Sequence, residues 1–272
     1  MSNISQTLPE QDRPVATMSG HWLLARLGKR VLRPGGRELT QRMLEAARID
    51  GSDVVELAPG LGHTASEIVK RNPRSYRGVD MDPDAVDQVN KRLGLVGAVV
   101  EADAAATGFD GDSADVVFGE AMLTMHSDRS KQTMMAEAFR VLRPGGRYVI
   151  HELGLAPDGL PEETKRDIQR ALAKSIKVNA RPLTNVEWRE LLESAGFDVV
   201  EETRFAPMRL LQPRRIIADE GVRGALRFAK NVLRMPDERR RVFDMRKTFT
   251  AHRDALTAVG IVAVKPAAES TR

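Results

Sequence analysis

Val54-Val55-Glu56-Leu57-Ala58-Pro59-Gly60-Leu61-Gly62 is the stretch that decides the fold. Its first four residues read as a short strand, Pro59 to Gly62 as a tight loop, and Thr64 to Lys70 as the helix that follows. The alternation then repeats. Tyr76 to Val79 is a second strand, and Asp82 caps the next helix with Pro83 at its first position, where a missing N–H costs nothing. Ala98 to Glu101 and Ala114 to Phe118 are the third and fourth strands. A helix from Ser130 to Val141 stops at Arg143-Pro144-Gly145-Gly146, before a fifth strand at Tyr148 to Ile150. Such alternation predicts an α/β fold with a doubly wound parallel sheet and helices on both faces.

Outward from this core the pattern loosens. Glu162 to Ile176 reads as a helix, and Thr184-x-x-Glu187 is a capping box opening another that ends at Gly196. Phe197 to Val200 and Ala258 to Val264 are the last two strands, separated by a helical insertion at about 213–254 that is too long for a hairpin connection. On the other side, residues 1–19 carry Pro9 and Pro14 among polar residues and read as a flexible tail. Trp22, Leu23, Leu27 and Val31 fall at helical spacing, Pro34-Gly35-Gly36 breaks that helix, and a second runs through Leu39, Met43 and Ala47. The expected organisation is one domain over 20–264: lid helices at 20–50, a ligand-binding core at 51–155, and an acceptor-side part at 156–264. Residues 265–272 form a tail. VLRPGGR occurs at 31–37 and again at 141–147 with unrelated flanks, a coincidence and not a repeat.

Composition removes several classes of protein. With no cysteine there are no disulfides, no thiolate metal sites and no cysteine nucleophile. No apolar run approaches the roughly 18 residues of a membrane span, and the N-terminal stretch lacks the apolar segment of a secretory signal, so a cytoplasmic setting is expected. No metal is expected.

The glycine-bearing turn lets the backbone approach a ligand closely at the carboxyl ends of the strands. Asp80 follows Gly62 by 18 residues, close to the spacing of a carboxylate that receives ribose hydroxyls. Gly60-x-Gly62-x-x-Ala65 also fits the dinucleotide fingerprint, which keeps a nicotinamide oxidoreductase open as an alternative. Against it, Glu56 at a strand end would repel a pyrophosphate and attract a sulfonium or ammonium. Asp103 after the third strand supplies an acceptor for an amino group such as adenine N6. Acids at three successive strand ends suit a cationic adenosine ligand.

ELAPGLG, GVDMD, EADA, ADVVFGEAM and RVLRPGGRYVI, in that order, resemble the class I S-adenosylmethionine-dependent methyltransferases, and most nearly the branch acting on small molecules, quinones and lipids. The likeness covers Val54 to Ile150 and Thr184 to Val200. It implies a Rossmann-like methyltransferase sheet, S-adenosyl-L-methionine as cofactor and S-adenosyl-L-homocysteine as product. Carried over by position, Glu56 lies near the methionine amino group, and Ala58, Gly60 and Gly62 form the turn that leaves room for the ligand. Asp80 takes the ribose hydroxyls, Met81 packs on adenine, Asp103 and Ala104 read its edge, and Glu120 borders the methionine end. Ala58 and Glu56 depart from the family's more usual Gly and Asp. Candidates for a general base are His126, Glu120 and His151, with Glu152, Glu101 and His63 weaker. The fourth strand ends Phe118-Gly119-Glu120-Ala121, without the Asn/Asp-Pro-Pro-aromatic motif of enzymes that methylate nucleobase amines.

Residues 208–252, from Met208 and Arg209 onward, hold 12 basic and five acidic side chains, so the chain's net +4 is concentrated there. Arg223, Arg227, Lys230 and Arg234 form one helical stripe, and Val222, Leu226, Ala229 and Leu233 a neighbouring one. Three readings remain open: a solvated face, a cationic cap for anionic membrane lipid or a phosphorylated acceptor, and an RNA track. The scarcity of aromatic residues, 4% of the chain, disfavours RNA because no stacking platform is evident. The leading expectation is methyl transfer to a small lipophilic acceptor. RNA methylation and non-catalytic S-adenosylmethionine binding are the alternatives.

Overall fold

The computed structural model describes residues 8–94, 97–205 and 211–267. In chain order the first elements are α1 (Gly20–Arg26), α2 (Gly36–Ala46), β1 (Asp53–Leu57), α3 (His63–Val69), β2 (Ser75–Asp80), α4 (Pro83–Leu93), β3 (Val99–Glu101), β4 (Ala114–Glu120), α5 (Asp128–Val141) and β5 (Leu142–Leu155). There follow α6 (Glu162–Ile176), β6 (Leu183–Thr184), α7 (Asn185–Ser194), β7 (Asp198–Phe205), α8 (Pro213–Arg234), α9 (Pro236–Ala251) and β8 (Leu256–Val264). The sheet runs β3-β2-β1-β4-β5-β8-β7, with the short β6 paired to β5. β1 to β6 are parallel, while β8 is antiparallel to both β5 and β7.

Helices cover both faces, so the central strands are apolar on both sides and read as continuous runs. Val55, Leu57 and Val117 pack with Met135, Ala138 and Trp188 on one face. Val54, Val116 and Phe118 pack with Leu39, Met43, Ala65 and Val89 on the other. The predicted caps form: Asp82 accepts from the N–H groups of Asp84 and Ala85, and Thr184 and Glu187 close a capping box.

Three expectations are revised. Arg143-Pro144-Gly145-Gly146 lies inside β5, which begins at Leu142; the backbone turns at Gly145 (φ +82°), and the register against β4 jumps between Ala114 and Val116. The earlier VLRPGGR is instead the loop entering α2, so the two copies share no conformation. Part of the presumed N-terminal tail is docked, because Met18 is buried and Glu10 accepts the Ser19 N–H at 2.8 Å. The insertion is two helices, and α8 is itself broken at Gly221 (φ 71°, ψ 169°). Residues 1–7, 95–96, 206–210 (with Met208 and Arg209) and 268–272 lie outside the described residues.

A third cluster joins the lid to the insertion: Leu23, Leu24 and Leu27 pack with Phe228, Val242 and Met245. Polar contacts pin the same junction. Glu220 accepts the backbone N–H groups of Arg30 and Val31, both at 2.8 Å, and its carboxylate lies 3.8 Å from the fully buried Lys29 ammonium. Asp219 accepts the Arg37 N–H at 3.1 Å. Glu220→Ala leaves Lys29 with Asp219 alone and strands the Arg30 and Val31 N–H donors, and should lower stability by about 2–5 kcal/mol in urea unfolding, the usual cost of unsatisfied buried donors.

Candidate active site

A cavity of about 620 Å³ opens at the carboxyl ends of β1, β2, β3 and β4. The strand order reverses between β1 and β4, and such switch points leave the crevice in which α/β sheets bind ligands. Glu56, Ala58, Gly60, Asp80, Met81, Asp103, Ala104 and Glu120 all line it, as does His126. Gly62 does not. A Cβ there would meet Val89 at 3.1 Å, so this glycine serves the close packing of the α3 entrance on α4 and not ligand room. Gly60 borders open space, since the nearest atom to a Cβ added there is Trp22 Cη2 at 3.8 Å.

Two buried carboxylates face the cleft in opposite electrostatic states. Glu56 has one hydrogen-bond partner, the Tyr76 phenol, which donates at 2.7 Å. Burial dominates and pushes its pKa up to about 8, with the nearby Glu120 and Asp80 charges adding to the rise. Glu120 is less deeply buried, with 8% of its side chain exposed, and receives the Thr40 and Thr64 hydroxyls at 2.5 and 2.6 Å, His151 Nδ1 at 2.6 Å, and the Arg33 guanidinium at 3.1 Å. Burial again raises its pKa, but the Arg33 and His151 interactions with the Thr40 bond overcome it, leaving a value of about 2. Asp80 is raised by burial, although the N–H groups of Gly60 and Asp82 each donate to it at 3.1 Å. Each oxygen keeps a second lone pair for a hydroxyl.

The base candidates separate on this geometry. Glu120 has every strong acceptor direction filled, which makes it a clamp and a poor proton acceptor. His151 is fully buried and does not line the cavity; its two ring nitrogens are bonded to Glu120 and to the Pro34 carbonyl. His126 lines the cleft near Asp103, with its pKa lowered by burial. Glu101 is exposed, and Glu152 is held by the N–H groups of Met122, Leu123 and Thr124 and the Thr124 hydroxyl. His63 lines the cleft, its pKa pushed down to about 4 by burial and by Arg92.

Sequence reasoning expected helices at 20–50 over the site but named none of their residues as part of it. His21, Trp22 and Arg33 line the same cavity, and the His21 and Trp22 rings lie 4.7 Å apart. Burial pushes the His21 pKa down to about 4, so the ring is neutral near pH 7. The helical spacing around Trp22 marked an amphipathic helix and gave no sign that its polar neighbour faces a ligand.

The donor set fits a cationic adenosine ligand. Glu56 is a buried carboxylate with a single neutral partner, which a nearby positive group would stabilise in its ionised form. Asp80 retains acceptor capacity for vicinal hydroxyls, and Met81, 64% exposed, offers a thioether surface to a flat ring.

Comparison with known proteins agrees. Residues 54–146 match the family described as a methyltransferase domain. The chain is 33% identical over 252 residues to an uncharacterised Haemophilus influenzae protein, covering 90% of this chain and 98% of that one. It is 30% identical over 154 residues to a Mycolicibacterium smegmatis protein described as a probable S-adenosylmethionine-dependent methyltransferase, covering 57% of this chain and 55% of that one. Among solved structures, Haemonchus contortus phosphoethanolamine N-methyltransferase 2, in complex with S-adenosylhomocysteine, superposes with TM-score 0.69 at 18% identity, covering 94% of this chain and 59% of that one. The [4+2]-cyclase SpnF superposes with TM-score 0.62 at 20% identity, covering 85% and 82%.

Ala58 adopts φ +52°, a left-handed conformation that costs an L-residue about 1 kcal/mol or more. Ala58→Gly should therefore raise the urea midpoint, by about 1 kcal/mol of stability less the added chain entropy of glycine. Glu56 yields a pH prediction. Its folded pKa lies above the unfolded value, so the native state holds an extra proton between about pH 4.5 and 8, and stability falls as pH rises through that window. Glu56→Gln keeps shape and acceptor without a charge, and should flatten that fall in urea titrations from pH 5 to 8.

Proposed function

The chain belongs to the class I S-adenosylmethionine-dependent methyltransferases, and on that premise we propose that its methyl acceptor is a small, lipophilic molecule. The observation that carries this reading is an apolar chamber of about 90 Å³ beside the cofactor cleft, walled by Leu24, Leu153, Ile176, Met245 and Phe249. His21, Leu32, Ala121 and Met125 line both spaces, so the chamber opens on the cleft. An apolar enclosure with few polar groups selects ligands by shape and desolvation.

In this reading Glu56 faces the positive charge of S-adenosylmethionine, Asp80 takes the ribose hydroxyls, Met81 covers the adenine, and Asp103 with the Ala104 backbone reads its edge. Gly60 leaves room for the ligand beneath Trp22. Glu120 acts by holding the lid through Arg33 and Thr40. The cofactor supplies a methyl group activated on a sulfonium, so the chain must mainly align the acceptor and exclude water. His21 stands where cleft and chamber meet. As a neutral imidazole it accepts a hydrogen bond from an acceptor hydroxyl or amine and orients the lone pair that is to be methylated. A cofactor-side role is left to His126.

Methyl-labelled S-adenosylmethionine, incubated with the protein in an extract of host cells lacking the gene, tests the reading once the products are split into organic, RNA and protein pools. Label in the organic pool is expected. Label in RNA would overturn the ranking, and cofactor binding with no labelled pool would favour the non-catalytic alternative. Asp80→Ala should weaken cofactor binding by about 1–3 kcal/mol in calorimetry, the cost of lost charged hydrogen bonds. His21→Phe should lower kcat about tenfold or more while leaving cofactor affinity unchanged.

A further inference from the structure

The second half of α8 carries an unusual surface. Val222, Leu226 and Leu233 are 64%, 66% and 70% exposed, and the exposed Ala229 lies between them. At about 100° per residue these four fall within roughly 60° of arc, a continuous apolar stripe facing solvent. Arg223, Arg227, Lys230 and Arg234 occupy the adjoining sector, also exposed; among the described residues none of the four makes an ion pair, although Arg227 donates to the Gly28 carbonyl at 3.2 Å. The helix has a separate inward seam, in which Gly224 and Phe228 are buried against the lid. The outer stripe is thus additional to the face that holds the helix in place. Single exposed leucines are ordinary; an aligned row bordered by cations with no carboxylate partner is not.

We infer that this face of α8 docks on an anionic lipid surface, with the apolar stripe entering the acyl boundary and the flanking cations meeting headgroup phosphates. The pairing of features selects this occupant. A nucleic acid would use the cations and leave the leucines in water. A second copy related by two-fold symmetry would cover the leucines but bring like charges together. A lipid surface satisfies both stripes at once. The break at Gly221 lets this half-helix take its own direction, while the half before it is held by Asp219 and Glu220. The hairpin partner α9 adds an exposed Phe243 among Arg239, Arg240, Arg246 and Lys247, and contributes Met245 and Phe249 to the apolar chamber. The element that meets the lipid thus also walls the acceptor site. The inference deepens the lipophilic-acceptor reading, yet its test needs no methyl acceptor, so either can fail alone.

The full chain is sedimented with vesicles of phosphatidylcholine alone or mixed with phosphatidylglycerol, at low and raised salt. Binding to the anionic vesicles, at least tenfold above the neutral ones and weakened by salt, is expected. Leu226→Ser with Leu233→Ser should lower it about tenfold or more. Arg223→Gln with Lys230→Gln and Arg234→Gln should lower it about a hundredfold, at roughly fivefold per cation. All five positions are exposed, and circular dichroism checks that both variants stay folded. Absence of binding to anionic vesicles overturns the inference, as does binding indifferent to the leucine pair. RNA binding or concentration-dependent dimerisation that these variants abolish, without vesicle binding, overturns it in favour of the other occupants.

Discussion

The carboxylate of Glu120 is the point on which the rest of the site depends. It leaves the end of β4 buried, where an unpartnered charge would be strongly disfavoured, and draws its partners from four separate places. Arg33 comes from the loop before α2, Thr40 from α2, Thr64 from α3 and His151 from β5. Removing any of these segments leaves a buried charge short of a donor, so the lid cannot detach from the sheet without a large electrostatic cost. Glu56 makes the contrast plain. It is buried with a single phenol, which cannot offset desolvation, and its pKa rises to about 8 where that of Glu120 falls to about 2. One carboxylate has its cation built in, and the other has room for one.

From Glu120 the constraint propagates outward through the 29–37 loop. That loop brings Arg33 to Glu120 and the Pro34 carbonyl to His151, and it is held from the far side by Asp219 and Glu220 of α8. The insertion between β7 and β8 therefore reaches the catalytic crevice by way of the lid. Lys29 is the joint: fully buried, its pKa lowered by desolvation despite Asp219 and Glu220, it links the carboxylates of the insertion to the backbone of the lid. The N-terminal helices, the insertion and the sheet are thus joined by buried contacts around the cleft.

This arrangement also explains what the sequence could and could not disclose. The β1–β5 core was legible because each signal is local: an apolar run, a glycine-bearing turn, Asp82 before Pro83. The strand-end acids were legible for the same reason, since a parallel sheet places every carboxyl end on one rim. His21 and Arg33 were not, because they reach the rim across some 25 to 90 residues of chain by tertiary packing, which no periodicity encodes. Gly62 misled because a glycine required by helix packing and one required by a ligand look alike in a motif. In α8 the periodicity identified two stripes but not the inward seam; Phe228 took the core, leaving Val222, Leu226 and Leu233 outside.

Fold alone does not fix the reaction. A [4+2]-cyclase and a phosphoethanolamine N-methyltransferase share this sheet at similar TM-scores. The strand-end acids suit the cofactor whatever the acceptor, so discrimination among acceptors must come from what closes over the cleft. Here that cover consists of α1, the 29–37 loop and the α8–α9 hairpin, which together present one neutral imidazole, the Trp22 indole, the guanidiniums of Arg33 and Arg30 paired with Glu120 and Glu220, and otherwise hydrocarbon. With no uncommitted charge among these cover residues to match a polar acceptor, a strongly hydrated one would lose water without compensation, whereas an apolar one would gain from the same exclusion. On the proposed reading, the cover would select its acceptor by what it declines to solvate.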